Sequence, residues 1–233
     1  MRKDKTHADG SHYILNPSDF AFLWEECKRC FYLKVRENFR RPATPMAKIF
    51  TVIDGEMKKY FDGKRTEKMM PFLPPGIVDG DVSWVQSKPI EVPKHRATCV
   101  IRGKIDTLVR FDDNSFGVID FKTSSRCAEH VQLYGRQLHA YATALEQAAA
   151  GHASLSPIRS LGLLVYEPQK FAQVAASAAA LTGGMSWIPI ERDDKKFFTF
   201  LGEILDVLER PEPPRAEACE WCQYREASRR NQF

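Results

Sequence analysis

Two C-x-x-C pairs stand near opposite ends of this chain, Cys27/Cys30 and Cys219/Cys222. Paired motifs of this kind supply the four thiolates of a metal centre, so a fold that builds one must bring its two ends together. Zn²⁺ and an iron–sulfur cluster both satisfy the spacing, which does not separate them. Closing so long a loop implies a structural role for the centre and poor folding without its metal. The other two cysteines, Cys99 and Cys127, stand alone. Met1-Arg2-Lys3 leads into polar residues rather than an apolar stretch, and no apolar run is long enough to cross a bilayer. The expected location is therefore the cytoplasm, where cysteines serve as thiols or metal ligands rather than disulfides.

Between the cysteine pairs the pattern alternates between helical and strand-like. At 233 residues, 43% of them hydrophobic and 27% charged, the chain suits one globular domain with a small appendage. Residues 1–12 are polar and expected to be flexible. Asn16-Pro17-Ser18-Asp19 reads as a helix start, and an apolar stripe through Phe20, Leu23, Trp24, Cys27, Cys30 and Phe31 predicts one continuous helix within an N-terminal unit of residues 13–45. Met46 to Phe61 reads as a second helix. Val100 to Val109 reads as a single strand, which turns at 111–115 into a second strand ending at Lys122. A long helix from about Glu129 to Ala149 follows, then an apolar strand, Leu161 to Tyr166. Residues 171 to 191 read as a strand pair turning at Gly183-Gly184, with a helical alternative for the alanine-rich half. A last helix spans Phe197 to Leu208 before a proline-rich exit. This order predicts a mixed α/β fold with its core in residues 46–191 and a C-terminal unit, 192–233, carrying the second cysteine pair.

Two acidic features stand out in the strand region. Asp106 is set within apolar residues, and Asp120-Phe121-Lys122 places Asp120 and Lys122 on one strand face with Ile119 and Phe121 on the other. Paired strands would let Asp106 approach Asp120. Two close carboxylates repel unless a cation sits between them, and hard oxygen ligands suit Mg²⁺ or Mn²⁺. The same residues also fit an edge-strand salt bridge between Asp120 and Lys122, with Asp106 in a turn. The following helix carries Gln137 and Tyr141 four residues apart, hence on one face.

Taken in order, Gly103-Lys104-Ile105-Asp106, Asp120-Phe121-Lys122-Thr123 and the Q-x-x-x-Y of Gln137 and Tyr141 resemble the RecB-like branch of the PD-(D/E)xK nucleases. The resemblance covers about residues 46 to 166 and implies a restriction-endonuclease-like mixed sheet flanked by helices. It implies Asp106, Asp120 and Phe121 as the metal set, Lys122 as catalytic, and Gln137 and Tyr141 as organisers of the site and the DNA strand. The family commonly has a metal-binding histidine on the preceding helix; here Asp54 is the substitute by position and Glu56 the second choice. CRISPR-associated members hold an iron–sulfur cluster between terminal cysteines, so the resemblance favours [4Fe–4S] over structural Zn²⁺ at Cys27, Cys30, Cys219 and Cys222. Those members usually supply one cysteine early and three late, whereas this chain supplies two and two.

The function so implied is metal-dependent hydrolysis of DNA, as an exonuclease acting on single strands or ends. The net charge of +4, with basic doublets such as Arg40–Arg41 and Lys58–Lys59, permits nucleic-acid binding without requiring it. No phosphate-loop motif is present, so any partner helicase is a separate chain. Two other readings stay open: an inactive nucleic-acid-binding scaffold, motivated by the missing histidine, and a redox sensor built on the cysteine centre.

Overall fold

The computed structural model describes residues 12–43, 45, 47–80, 84–124 and 128–230. Residues 1–11 and Cys127 lie outside them. Two sheets form the frame. The smaller has the order β1-β4-β3, from His12–Leu15, Thr98–Lys104 and Trp84–Gln86, with β1 parallel and β3 antiparallel to β4. The larger has the order β2-β5-β6-β7-β8, from Gly76–Asp79, Thr107–Phe111, Phe116–Thr123, Ile158–Ala175 and Ala178–Ile190. Strand β6 is central, antiparallel to β5 and parallel to β7. A parallel neighbour requires a crossover, which α5 (Ala128–Glu146) supplies.

The alternation of β6 divides the interior into two cores. Val118 joins the main core with Leu163 and Val165 of β7, while Ile119 and Phe121 face the other side with Phe61, Val109 and Leu164. On the main side α6 (Asp194–Glu209) buries Phe197, Phe200, Leu201, Ile204, Leu205 and Leu208, a single stripe at helical spacing. Burying each such side chain is worth about 1.5–3 kcal/mol. Asp193 caps this helix by accepting from the Lys196 amide, and His139 of α5 accepts from the Asp193 amide at 2.8 Å. On the second side α3 (Lys48–Phe61) covers β6 through Phe61 and Met57.

Three sequence expectations are corrected. The continuous first helix is broken: a 3₁₀ turn, Pro17–Asp19, precedes α1 (Leu23–Glu26), and Cys27 is extended (φ −165°, ψ 109°) before α2 (Lys28–Arg36) begins. Phe20, Trp24 and Phe31 still face the main core across the break, while Cys27 and Cys30 turn to a separate cluster with Cys219 and Cys222. The single strand from Val100 to Val109 is two strands in different sheets. The chain leaves β4 at Lys104 and enters β5 at Thr107, so Asp106 lies in the bend between them. The third concerns β7 and β8, which form one long hairpin turning at Ala176-Ser177, not at Gly183-Gly184. Gly183 instead lies opposite Pro168, where a Cβ would fall 2.1 Å from the Glu167 carbonyl oxygen. Its missing side chain allows a close approach of strands and not a reversal.

Short elements complete the chain. The α4 turn (Thr66–Met69) leads into β2, and α7 (Glu220–Arg230) follows the proline-rich exit of α6. Among the described residues no helix is long and apolar enough to cross a membrane.

Candidate active site and cysteine centre

Lys122, on β6, and Asp106, in the β4–β5 bend, line a cleft of about 650 Å³ with Asp54, Phe50 and Thr51 of α3 and with Phe121 and Thr123 of β6. Strand alternation turns Asp120 toward α5, where it is 3% exposed. There Gln137 Nε2 donates to its Oδ1 at 3.4 Å. Asp120 Oδ2 accepts no hydrogen bond of good geometry, although the Lys122 ammonium lies against it as an ion pair. The contact is close in distance but poorly directed for a hydrogen bond, so it acts as charge pairing.

Burial pushes the Asp120 carboxyl up. Lys122 opposes that shift and the nearby Asp106 charge adds to it, leaving the group at about 7. For Lys122, burial works against the charged form, but the Asp120 carboxylate prevails and the ammonium is held above its ordinary range. The ammonium also sits 4.5 Å from the centre of the Tyr134 ring, a cation–π contact.

Lys58, one turn after Asp54 on α3, places its ammonium 2.8 Å from Asp54 Oδ2 and 2.8 Å from Asp106 Oδ1. Burial disfavours its charge, yet the hydrogen bonds to Asp106 and Asp54 raise its pKa. Each carboxylate of the cleft is therefore met by a lysine. Tyr141 donates its hydroxyl to the Lys104 carbonyl at 2.7 Å, anchoring the chain just before the Asp106 bend. Burial raises the pKa of this phenol, which keeps it a donor.

The structure thus brings Asp54, Asp106, Asp120, Lys122, Gln137 and Tyr141 into one neighbourhood. Glu56 is exposed on α3 and does not line the cleft. Phe121 belongs to the second core, so only its main-chain carbonyl could offer an oxygen to a metal. Asp106 lies in a bend and Lys122 pairs with Asp120, as the salt-bridge reading anticipates, but β6 is a central strand and not an edge. Sequence reasoning missed Lys58 and Tyr134. Both had a periodic signal: Lys58 is four residues after Asp54, and Tyr134 is three before Gln137.

The donor set fits a hard divalent cation. Asp106 and Asp120 are close enough to perturb each other, and the buried Oδ2 of Asp120 has an unused lone pair. Asp54 and the Phe121 carbonyl are the remaining candidates.

The second centre lies at the junction of the chain ends. The Sγ atoms of Cys27, Cys30, Cys219 and Cys222 all fall within 4.8 Å of one another, and all four residues are buried. The two pairs are built alike. Cys27 precedes α2 and Cys30 is its third residue; Cys219 precedes α7 and Cys222 is its third residue. Both helix N-termini therefore point partial positive charge at the sulfurs. Arg41 adds a full charge, its Nη2 lying 3.4 Å from Cys219 Sγ. Burial would raise the Cys27 thiol, but amides of Ala216 and Cys30 and the neighbouring thiols bring it down to about 7. Leu23, Ala216 and Trp221 pack around the group. Cys99 is separate, fully buried in the main core.

No curated protein gives a significant match. A solved structure described as the crystal structure of SSO0001 aligns over 85% of this chain and 78% of that one, at 15% identity with a TM-score of 0.49. The family model of the PD-(D/E)XK nuclease superfamily matches residues 56–227, a span that holds Asp106, Asp120, Lys122, Gln137 and Tyr141, and the chain belongs to that superfamily.

Proposed function

We propose that this protein is a metal-dependent deoxyribonuclease of the RecB-like branch, working as an exonuclease on single strands or free ends. The observation that carries the reading is that Asp106 and Lys122 line one cleft while Asp120 is buried against Lys122. Asp106, Asp120, the Phe121 carbonyl and Asp54 would hold Mg²⁺ or Mn²⁺. Such an ion, when bound, lowers the pKa of water and draws charge from a phosphodiester. Lys122 is placed to neutralise the phosphate as negative charge develops, with Tyr134 behind its ammonium. Gln137 orients the Asp120 carboxylate, and Tyr141 fixes the backbone that presents Asp106.

The cleft volume suits a nucleotide-sized group, which favours a single strand or a frayed end over an intact duplex. Phe50, 44% exposed on the cleft wall, is available to stack a base. A separate helicase that opens duplex ends would be a fitting partner.

The test is anaerobic purification and incubation with end-labelled single- and double-stranded DNA and Mn²⁺, comparing wild type with Asp120→Ala. Metal-dependent shortening from an end, lost in the variant, supports the reading. Stable DNA binding without cleavage, at full metal occupancy, favours the inactive scaffold instead. One observation motivates that second reading: Lys58 already fills the space between Asp54 and Asp106 with a positive charge.

A further inference from the structure

The cysteine centre, remote from the carboxylate cleft in its residues, has a geometry that bears on which metal it takes. In a tetrahedral site each metal–sulfur bond is about 2.3 Å, which puts neighbouring sulfurs roughly 3.8 Å apart. A [4Fe–4S] cubane carries each thiolate on a different iron, pointing outward, which spreads the four sulfurs to roughly 6 Å. Here Cys30 Sγ lies 3.6 Å from Cys222 Sγ and 3.7 Å from Cys219 Sγ, and Cys27 Sγ lies 3.8 Å from Cys222 Sγ. No pair exceeds 4.8 Å. Three of the six pairs have the spacing of a single-ion site, and none reaches the spread of the cubane that family resemblance favours.

We propose that Cys27, Cys30, Cys219 and Cys222 hold a single tetrahedral Zn²⁺, and that the centre is a structural clasp with no redox chemistry. Three features agree. Each C-x-x-C motif straddles a helix N-terminus at the same positions, so two like half-sites close on one ion. The sulfurs are almost wholly enclosed, between 1% and 5% exposed by residue, as in a closed structural site with no open coordination position. Zn²⁺ with four thiolates carries two net negative charges, and Arg41 beside Cys219 supplies compensation. Zinc is preferred over a lone Fe²⁺ because it binds such a site more tightly. Uptake displaces the remaining thiol protons to solvent, with no oxidant or reductant required.

The experiment is metal and acid-labile sulfide analysis of the full chain, purified anaerobically from cells supplied with both iron and zinc. The expected result is one zinc per chain, no sulfide and no visible absorption. Exchange with Co²⁺ should then give the visible bands of a tetrahedral cobalt thiolate, titrating to one ion per chain. Cys219→Ser should abolish that spectrum and Cys99→Ser should leave it unchanged; if Cys219→Ser fails to fold, the wild-type cobalt titration decides alone. Iron with matching sulfide, one iron without sulfide, or wild-type thiols that bind neither zinc nor cobalt would each overturn the proposal.

Discussion

Lys58 sets its ammonium 2.8 Å from the Asp106 carboxylate, joining the helix that carries Asp54 to the bend between two sheets. A divalent ion that uses Asp106 must displace this internal cation or share the carboxylate with it. Lys58→Met should therefore tighten Mn²⁺ binding, by about tenfold if roughly 1.4 kcal/mol of competition is removed. The same change leaves Asp54 and Asp106 facing each other without a counter-charge, so the metal-free protein should lose about 1 kcal/mol of stability. Calorimetric titration with Mn²⁺ and thermal melts with and without the ion read both effects. Weaker Mn²⁺ binding in the variant would show that Lys58 supports the metal set rather than competing with it.

Lys122 and Asp120 should separate in mutagenesis. In the proposed mechanism Lys122 meets the phosphate, so Lys122→Ala should leave Mn²⁺ binding to the carboxylates while cleavage falls roughly 100- to 1,000-fold. Asp120→Ala should lose Mn²⁺ affinity and cleavage together. Parallel titrations and end-labelled DNA assays distinguish the two; full activity in Lys122→Ala would remove the lysine from the mechanism.

Acid sensitivity is expected at Glu209, near the end of α6. Burial would raise its carboxyl, but the Ala97 and Arg96 amides and the His95 ring hold it below the usual carboxylate range. A depressed folded pKa means stabilisation that is complete above the unfolded value, about 4.3, and is lost as pH falls through the folded one. Glu209→Gln should cost about 1 kcal/mol at pH 7, with the gap to wild type closing below about pH 4. Urea unfolding at pH 7 and pH 3 checks the sign; a gap that widens in acid would contradict it.

Gly103 leaves room for the ring of Tyr141. A Cβ there would lie 2.8 Å from Pro17 Cδ and 3.1 Å from Tyr141 Cε1, and both neighbours are ring atoms with little freedom to move. Gly103→Ala is expected to destabilise by about 1–3 kcal/mol and to reduce cleavage, because Tyr141 holds the Lys104 carbonyl beside Asp106. Tyr141→Phe keeps the ring and loses the hydrogen bond, at about 1 kcal/mol. Melting temperatures and cleavage rates for the pair of variants separate crowding from hydrogen bonding.

Local period and spacing were sufficient for much of this molecule. Alternation along 119–122 divides Ile119 and Phe121, in the second core, from Asp120 and Lys122, which pair with each other, because the side-chain period of a strand is a backbone property. The i, i+4 interval of Gln137 and Tyr141 likewise places both on the α5 face that reaches β6 and β4. The paired C-x-x-C motifs announce a junction of the chain ends, and the four sulfurs do meet. These features depend on neighbours in sequence, or on a residue chemistry with few alternative uses.

Only tertiary structure decided the rest. The Val100–Val109 run has uniform β-propensity, so nothing local reveals that it divides at Ile105-Asp106 to serve two sheets; the packing partners of β4 and β5 impose that bend. Cys27 leaves the helical conformation although its spacing is helical, and Cys219 approaches it from the far end of the chain. Lys58 reads in sequence as a solvated helix lysine. It becomes part of the cleft because α3 packs over β6 and carries it to Asp106, a contact between residues far apart in the chain that no local pattern encodes.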